Sequence, residues 1–270
     1  MLTETFRSIA AAARHVFINW RSLLLAAILY ASLLAALYFF VAVREASIAQ
    51  VSLTFALAIA APILFFLLQT MVANDCRESS VGSMVKNSLT NFWKLVLITL
   101  PLIGLAVLIG YLLAKAQNHF GNSAEALRPL ATTAKARDAA KPIDWRAAMI
   151  SSVRYLAFGL VLPLAAIHLW LATVREGLGL AIRKLNHHLS RAFAPQSVLI
   201  YMAGFLVFGV APYLLLFRAT PTKYAWLEIS LLVVRLAIVF ALSLFGWVIT
   251  VRALSLFSTT PPSDPSNEAV

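Results

Sequence analysis

Three ionisable residues fall inside long apolar runs. Glu228 and Arg235 lie seven positions apart in the last run, and Arg154 lies in the fourth. Seven residues are close to two helical turns, so Glu228 and Arg235 share a face, about 10 Å apart along the axis. Charge in hydrocarbon is costly, and it is kept where it has a partner or a task. Two chemistries fit the three residues. They could form a charged cluster that lines a polar cavity and contacts an anionic solute or headgroup. Alternatively, Arg154 snorkels to an interface and Glu228 pairs locally.

Other groups carry less chemistry. His168, toward the end of the fourth run, reads as a satisfied interface histidine rather than a proton relay. His187 and His188 are neighbours on a helix, so they point apart; they make poor joint metal ligands and read as part of a wet face. Cys76 is the only cysteine. It stands beside Asp75, Arg77 and Glu78, with no His/Asp arrangement to activate it and no second thiol for a disulfide. The sequence has no Gly-rich phosphate loop, His-Glu-x-x-His, Gly-x-Ser-x-Gly or paired Cys motif. The expectation is a protein with no cofactor, no metal and no catalytic residue, hence not an enzyme. An energy-coupled pump built on this chain would need an ATPase partner.

The elements that position these residues follow from composition. Of 270 residues 61% are hydrophobic and 12% charged, against about half and a quarter in soluble domains. Six apolar runs, near 22–43, 51–72, 95–113, 149–174, 198–217 and 226–254, reach the ~20 residues that a helix needs to cross a hydrocarbon core of about 30 Å. They lack the alternation of barrel strands, and backbone groups in lipid must pair within the segment, so they read as helices. The first run exceeds the 7–15 residues of a signal-peptide core and is expected to stay as a span.

Tryptophan and proline agree with this reading. Trp20, Trp93, Trp145 and Trp226 sit at or just before span starts, and Trp170 and Trp247 toward span ends, the headgroup level that indole favours. Pro62, Pro101, Pro163 and Pro212 fall inside four different spans, a placement that membrane bundles absorb. Each is expected to mark a kink.

Three amphipathic stretches precede the odd-numbered spans. The first aligns Phe6, Ile9, Ala10, Ala13, Phe17 and Trp20, with Arg7, Arg14 and Arg21 on another face. The second aligns Val81, Met84, Val85, Leu89 and Phe92. The third aligns Leu178, Ile182, Leu185, Leu189 and Phe193, flanked by Arg183, Lys184, His187 and Arg191. A basic amphipathic helix beside a span lies in the interface plane. The chain thus reads as three similar units, each an interfacial helix, a span, an outer loop and a second span, a threefold internal repeat.

The net charge of +11 suits anionic lipid headgroups at span ends better than nucleic acid, for which no folded polar domain is visible. With the N-terminus inside, eleven Lys and Arg flank the inner ends and nine the outer ones, and six of the nine lie on residues 115–148, diluted by Glu125, Asp138 and Asp144. Both termini are therefore placed in the cytoplasm. Residues 115–148 are expected to be an extracytoplasmic loop, with Asp144 capping the fourth span. The Pro-rich 258–270 are expected to be a disordered tail following a single transmembrane domain over 1–257.

The amphipathic-then-apolar texts at 87–101 and 175–202 resemble the six-helix membrane domain attached to bacterial glycerophosphodiester phosphodiesterases, and its stand-alone relatives. The resemblance covers about 80–254 and is one of pattern. It implies an envelope protein, in the bacterial cytoplasmic (inner) membrane. The catalytic phosphodiesterase domain has no counterpart here, so no active residue carries over. The functional expectation is a non-enzymatic bundle that binds anionic membrane lipids or a protein partner, or forms a homo-oligomer. The alternatives are a transporter or permease subunit for a small, anionic solute and, last, a membrane lipid enzyme.

Overall fold

The computed structural model describes residues 2–44, 47–75, 81–125, 145–218 and 225–259. Among them every regular element is helical, in the order α1 (Leu2–Ile18), α2 (Trp20–Ala42), α3 (Ile48–Asp75), α4 (Val81–Glu125), α5 (Trp145–Leu156), α6 (Leu162–Glu176), α7 (Leu178–Arg183), α8 (Leu185–Ala192), α9 (Pro195–Phe205), α10 (Ala211–Phe217) and α11 (Ala225–Thr259). Single π-helical turns, Ala157–Val161 and Leu206–Val210, join α5 to α6 and α9 to α10. Six helical stretches are long and apolar enough to cross a membrane, at the positions that run length indicates. The fold is an all-α, multi-pass bundle.

The two π turns each precede a proline. Proline lacks an N–H, and its ring crowds the carbonyl four residues back. Just before Pro163, the Leu162 N–H reaches Ala157 O; just before Pro212, the Ala211 N–H reaches Leu206 O. Both bonds step back five residues instead of four. The wider turn shifts the carbonyl that the ring would otherwise meet, and π turns of this kind are a recognised source of helix bending. Pro62 and Pro101 lie inside α3 and α4 with no π turn. Each of the four prolines is expected to mark a kink; the register of the helix changes at two of them.

The three amphipathic stretches take different forms. The first is α1, set off from α2 at Asn19 (φ −93°, ψ 50°). The second is not a separate helix, since α4 runs unbroken from Val81 through the span. The third is two short helices, α7 and α8, interrupted at Lys184 (φ −100°, ψ 21°). α4 also continues to Glu125, into the stretch expected to be loop; Ala114, Lys115, Ala116 and Gln117 are good helix formers and nothing there breaks the helix. The remainder of that stretch, 126–144, lies outside the described residues, as do Cys76, the Asp144 cap and 260–270 of the tail.

The chain divides into two compact units, Met1–Ile98 with Ile167–Val270, and Thr99–Ala166. In the first unit α2 packs on α3, and α11 packs on α1, α9, the second π turn and α10. Residues 167–174 of α6 are all buried. Rings bridge the helices, Tyr30 to Phe240 at 5.1 Å and Phe208 to Trp247 at 5.4 Å between centroids. Glycine lets α11 come close to its neighbours. A Cβ on Gly246 would stand 2.9 Å from Phe208 Cβ and 3.1 Å from Phe208 N, and one on Gly204 would collide with the Thr250 side chain. Small residues at such crossings allow backbones to approach where lipid supplies no hydrophobic drive. In the second unit, the Phe158 ring lies 3.6 Å from where a Cβ on Gly110 would be.

Candidate functional site

The residues singled out by sequence do not gather into a site. Arg235 donates from Nη1 to the Arg218 carbonyl at 2.7 Å. That carbonyl ends the last turn of α10, where helix carbonyls lack intrahelical donors and the dipole is negative. Arg235 therefore caps α10. Glu228 is exposed in the first turn of α11, where its charge suits the positive end of the helix dipole. Among the described residues Glu228 and Arg235 form no ion pair with each other. Arg154 is exposed on α5, in the other unit.

Two cavities in the first unit lie away from these residues. The larger is a cavity of about 250 Å³ bordered by Tyr30, Phe65, Gln69, Phe208, Ser243 and Trp247, from α2, α3, the second π turn and α11. Its wall is aromatic and aliphatic. Its one strong polar feature is internally paired: Trp247 Nε1 donates to Gln69 Oε1 at 3.0 Å. A primary amide within a span needs such a partner, because hydrocarbon offers none.

The smaller is a polar cavity of about 30 Å³ where α6 ends. From α6 it takes His168, Leu171, Ala172 and Arg175, spaced 3, 4 and 7 and hence on one face, with Glu176 closing the last turn. From α8 it takes His188 and Arg191. The chain brings α8 back to α6 by reversing at Gly177, whose φ of 86° and ψ of 162° belong to a region open essentially to glycine alone.

Bonds around this cavity fix its walls. Arg175 Nη2 donates to the Ser255 carbonyl at 2.8 Å and also to Ser255 Oγ, tying α6 to α11. Lys184 Nζ donates to Glu176 Oε2 at 3.1 Å. Ser197 Oγ donates to the Arg191 carbonyl at 2.9 Å and lies 3.5 Å from His168 Nε2. Ser197 is fully buried, and its hydroxyl joins the start of α9 to the end of α8.

His188 corrects the sequence reading. His187 is exposed as expected, but His188 is buried, with Nε2 3.9 Å from Glu176 Oε2 and without a hydrogen-bond partner among the described residues. Burial pushes its pKa below the usual 6.5, and His187, Lys184 and Arg191 push the same way; the Glu176 carboxylate pulls it back up. His168, expected at the interface, is buried in α6, with Nε2 3.5 Å from Ser197 Oγ. No group of three or more His, Cys, Asp or Glu among the described residues is placed to hold a metal.

Glu176 and Gln69 are residues that sequence reasoning missed, and Arg175 and Arg191 figured there only as flanking charge. The available signal was His168 and Arg175, seven apart and so on one face, where the span passes into the basic stretch after it. Compared with protein families, with curated proteins and with solved structures, the chain matches none.

Proposed function

We propose that this protein is a non-enzymatic membrane bundle that binds anionic lipids at the side where both chain ends lie. The observation that carries this reading is the division of α1 into three faces. Thr5, Ala12 and Val16 are buried against the bundle. At 100° per residue, Phe6, Ala13 and Phe17 form a second stripe, and Phe6 and Phe17 are 70% and 63% exposed. Arg7 and Arg14 form a third, exposed face. A helix docked by one face, with rings on the next and guanidinium groups on the third, suits the boundary between acyl chains and headgroups. Arg21 supports it, packing 5.8 Å over the Trp20 ring.

The third basic stretch belongs to the same side. Spans that alternate in direction put the start of α2 and α9 and the ends of α3, α6 and α11 together. There α7 and α8 add Arg183, Lys184 and Arg191 to Arg7, Arg14 and Arg21. Lysine and arginine near an anionic surface contribute about 1 kcal/mol each, so several acting together give a marked preference. The Lys and Arg bias supports this side as the cytoplasmic face of a bacterial inner membrane. The phosphodiesterase-linked resemblance agrees with a lipid role but rests on pattern alone. Within this reading, a protein partner or a second copy would use the same interfacial face.

The test is lipid retention. The protein is reconstituted in nanodiscs of mixed zwitterionic and anionic lipid, extracted, and its bound lipids counted by native mass spectrometry. Enrichment of anionic species that falls when Arg7 and Arg14 are both replaced by Gln supports the reading. Retention in proportion to the input mixture rejects it.

A further inference from the structure

We propose that the cavity bordered by α2, α3, the second π turn and α11 binds an uncharged, membrane-dissolved molecule by its carbonyl oxygen, with the side-chain nitrogen of Gln69 as donor. This goes beyond headgroup binding and uses none of the basic interfacial residues.

The orientation of Gln69 is set by its neighbour. Indole has a donor and no acceptor, so the Trp247 N–H fixes which end of the amide faces it. Gln69 Oε1 accepts at 3.0 Å. The amide nitrogen is therefore turned away from Trp247, and its hydrogens have no acceptor among the described residues. Gln69 is only 5% exposed, and the space that it borders is this cavity. An enclosed amide nitrogen without an acceptor is costly, and hydrocarbon offers it none. Tyr30 and Ser243 border the same space, and their hydroxyls also lack a partner among the described residues. All three groups can donate, so a ligand that presents an acceptor oxygen satisfies them.

Depth and lining select the class of ligand. Tyr30 lies about 15 Å from the start of α2 at Trp20, and Gln69 about 9 Å from the end of α3 at Asp75. In a hydrocarbon core about 30 Å thick, the cavity is below the headgroups. Among the described residues no charged side chain borders it. An ionised group would lose its hydration there and gain no partner, so the occupant is neutral. Phe65, Phe208, Trp247, Leu33, Leu68 and Leu244 supply apolar contact. An apolar pocket with a few convergent polar groups is the usual form of a small-molecule site.

Size and rigidity agree. A dry apolar cavity of about 150 Å³ takes up benzene, so about 250 Å³ holds a substituted ring, or a segment of acyl chain beside its ester. The cavity is partly open, so a longer tail continues into lipid. Gly246 seats α11 against Phe208, and the Phe208 ring meets Trp247 edge-on at 5.4 Å. A wall fixed before the ligand arrives lowers the ordering cost of binding. A quinone ring and the ester of a neutral glycerolipid share the chemistry that this site recognises.

The experiment titrates the intact protein, Gln69→Met and Ser243→Phe in detergent with decylubiquinone, dioctanoylglycerol and an alkane of matched length. Native mass spectrometry counts bound molecules, and circular dichroism checks folding. Gln69→Met keeps the length of the side chain and a weak acceptor for the Trp247 N–H, but removes the donors. Ser243→Phe leaves Gln69 in place and fills the space. Isotope-labelled carbonyls give an infrared readout, because an accepted hydrogen bond lowers the C=O stretching frequency. The expected result is saturable binding of a single quinone or diacylglycerol with a lowered carbonyl frequency. In Gln69→Met the frequency returns and affinity falls about tenfold; in Ser243→Phe binding is lost. Binding of the quinone alone assigns the oxygen to a ring, and of diacylglycerol alone to an acyl ester. An unshifted carbonyl frequency in the intact protein, or an alkane bound as tightly, overturns the proposal whatever the variants do. So does the absence of saturable binding, or binding that survives both variants. Anionic lipid retention through Arg7 and Arg14 is read separately and is untouched by these outcomes.

Discussion

Replacing Gly246 with alanine should loosen the crossing between α11 and the π turn ahead of α10, even though alanine is the better helix former. In an open helix position the exchange favours the folded state by about 1 kcal/mol. At Gly246 the new methyl would meet Phe208 Cβ at 2.9 Å, Phe208 N at 3.1 Å and Phe208 Cα at 3.2 Å. Two of these atoms are backbone and cannot rotate away, so the helices must part by several tenths of an ångström. Overpacking of this kind costs about 1–3 kcal/mol. The net change runs from about zero to a loss of 2 kcal/mol. Gly104 supplies the control, because a Cβ there meets nothing within 4 Å. The assay is thermal unfolding in mild detergent, followed by helix signal and by fluorescence-detected size exclusion. Gly104→Ala should match or exceed the unsubstituted protein, and Gly246→Ala should melt several degrees below Gly104→Ala. Equal melting temperatures for the two variants would refute the close packing argued for this crossing.

Gly177→Ala should cost about 1–3 kcal/mol, since φ 86° with ψ 162° is closed to a Cβ, and should release α8 from α6; trypsin cleavage at Arg183 and Lys184 would quicken, and an unchanged digestion rate would count against it. Stability should depend on pH through His188. Its folded pKa lies below the unfolded 6.5, chiefly through burial, so the folded state binds fewer protons and its stability is present above pH 6.5 and lost as pH falls through the folded pKa. The melting temperature of the native protein should therefore drop more between pH 7.5 and 5 than that of His188→Leu; parallel curves would dismiss the effect. Gln69→Leu should strand the Trp247 N–H, costing about 1–3 kcal/mol as a buried unpaired donor, and the Gln69→Leu, Trp247→Phe double variant should recover part of that loss in a thermal melt.

The spans were legible because run length is a strong signal: hydrocarbon thickness demands about 20 apolar residues whatever the helix packs against. The candidate site was not legible, for reasons visible in particular residues. Arg235 reads as deep charge, yet a guanidinium on a long stem reaches the Arg218 carbonyl beyond the end of α10, and no spacing rule encodes that reach. His188 reads as wet by its neighbours Asn186, His187 and Arg191. It is buried because Gly177 turns α7 and α8 back onto α6, a reversal set by a single φ angle. The break at Lys184 likewise leaves α7 and α8 as separate short helices within one continuous amphipathic pattern.

The same physics explains why residues 167–174 of α6 are enclosed within the first unit. Ala148–Glu176 has the lowest mean hydropathy of the six, yet 61% of its apolar window is enclosed, against 17% or less for each of the others. In water this order would be reversed. In a bilayer the surrounding tails are as apolar as leucine, so greasiness gives a helix no reason to leave lipid. What draws a helix inward is polar content that lipid cannot satisfy. His168 and Arg175 supply it in this span, and Ser197 and Ser255 meet it from neighbouring helices. The polar cavity at the end of α6 is then a consequence of how the bundle assembles.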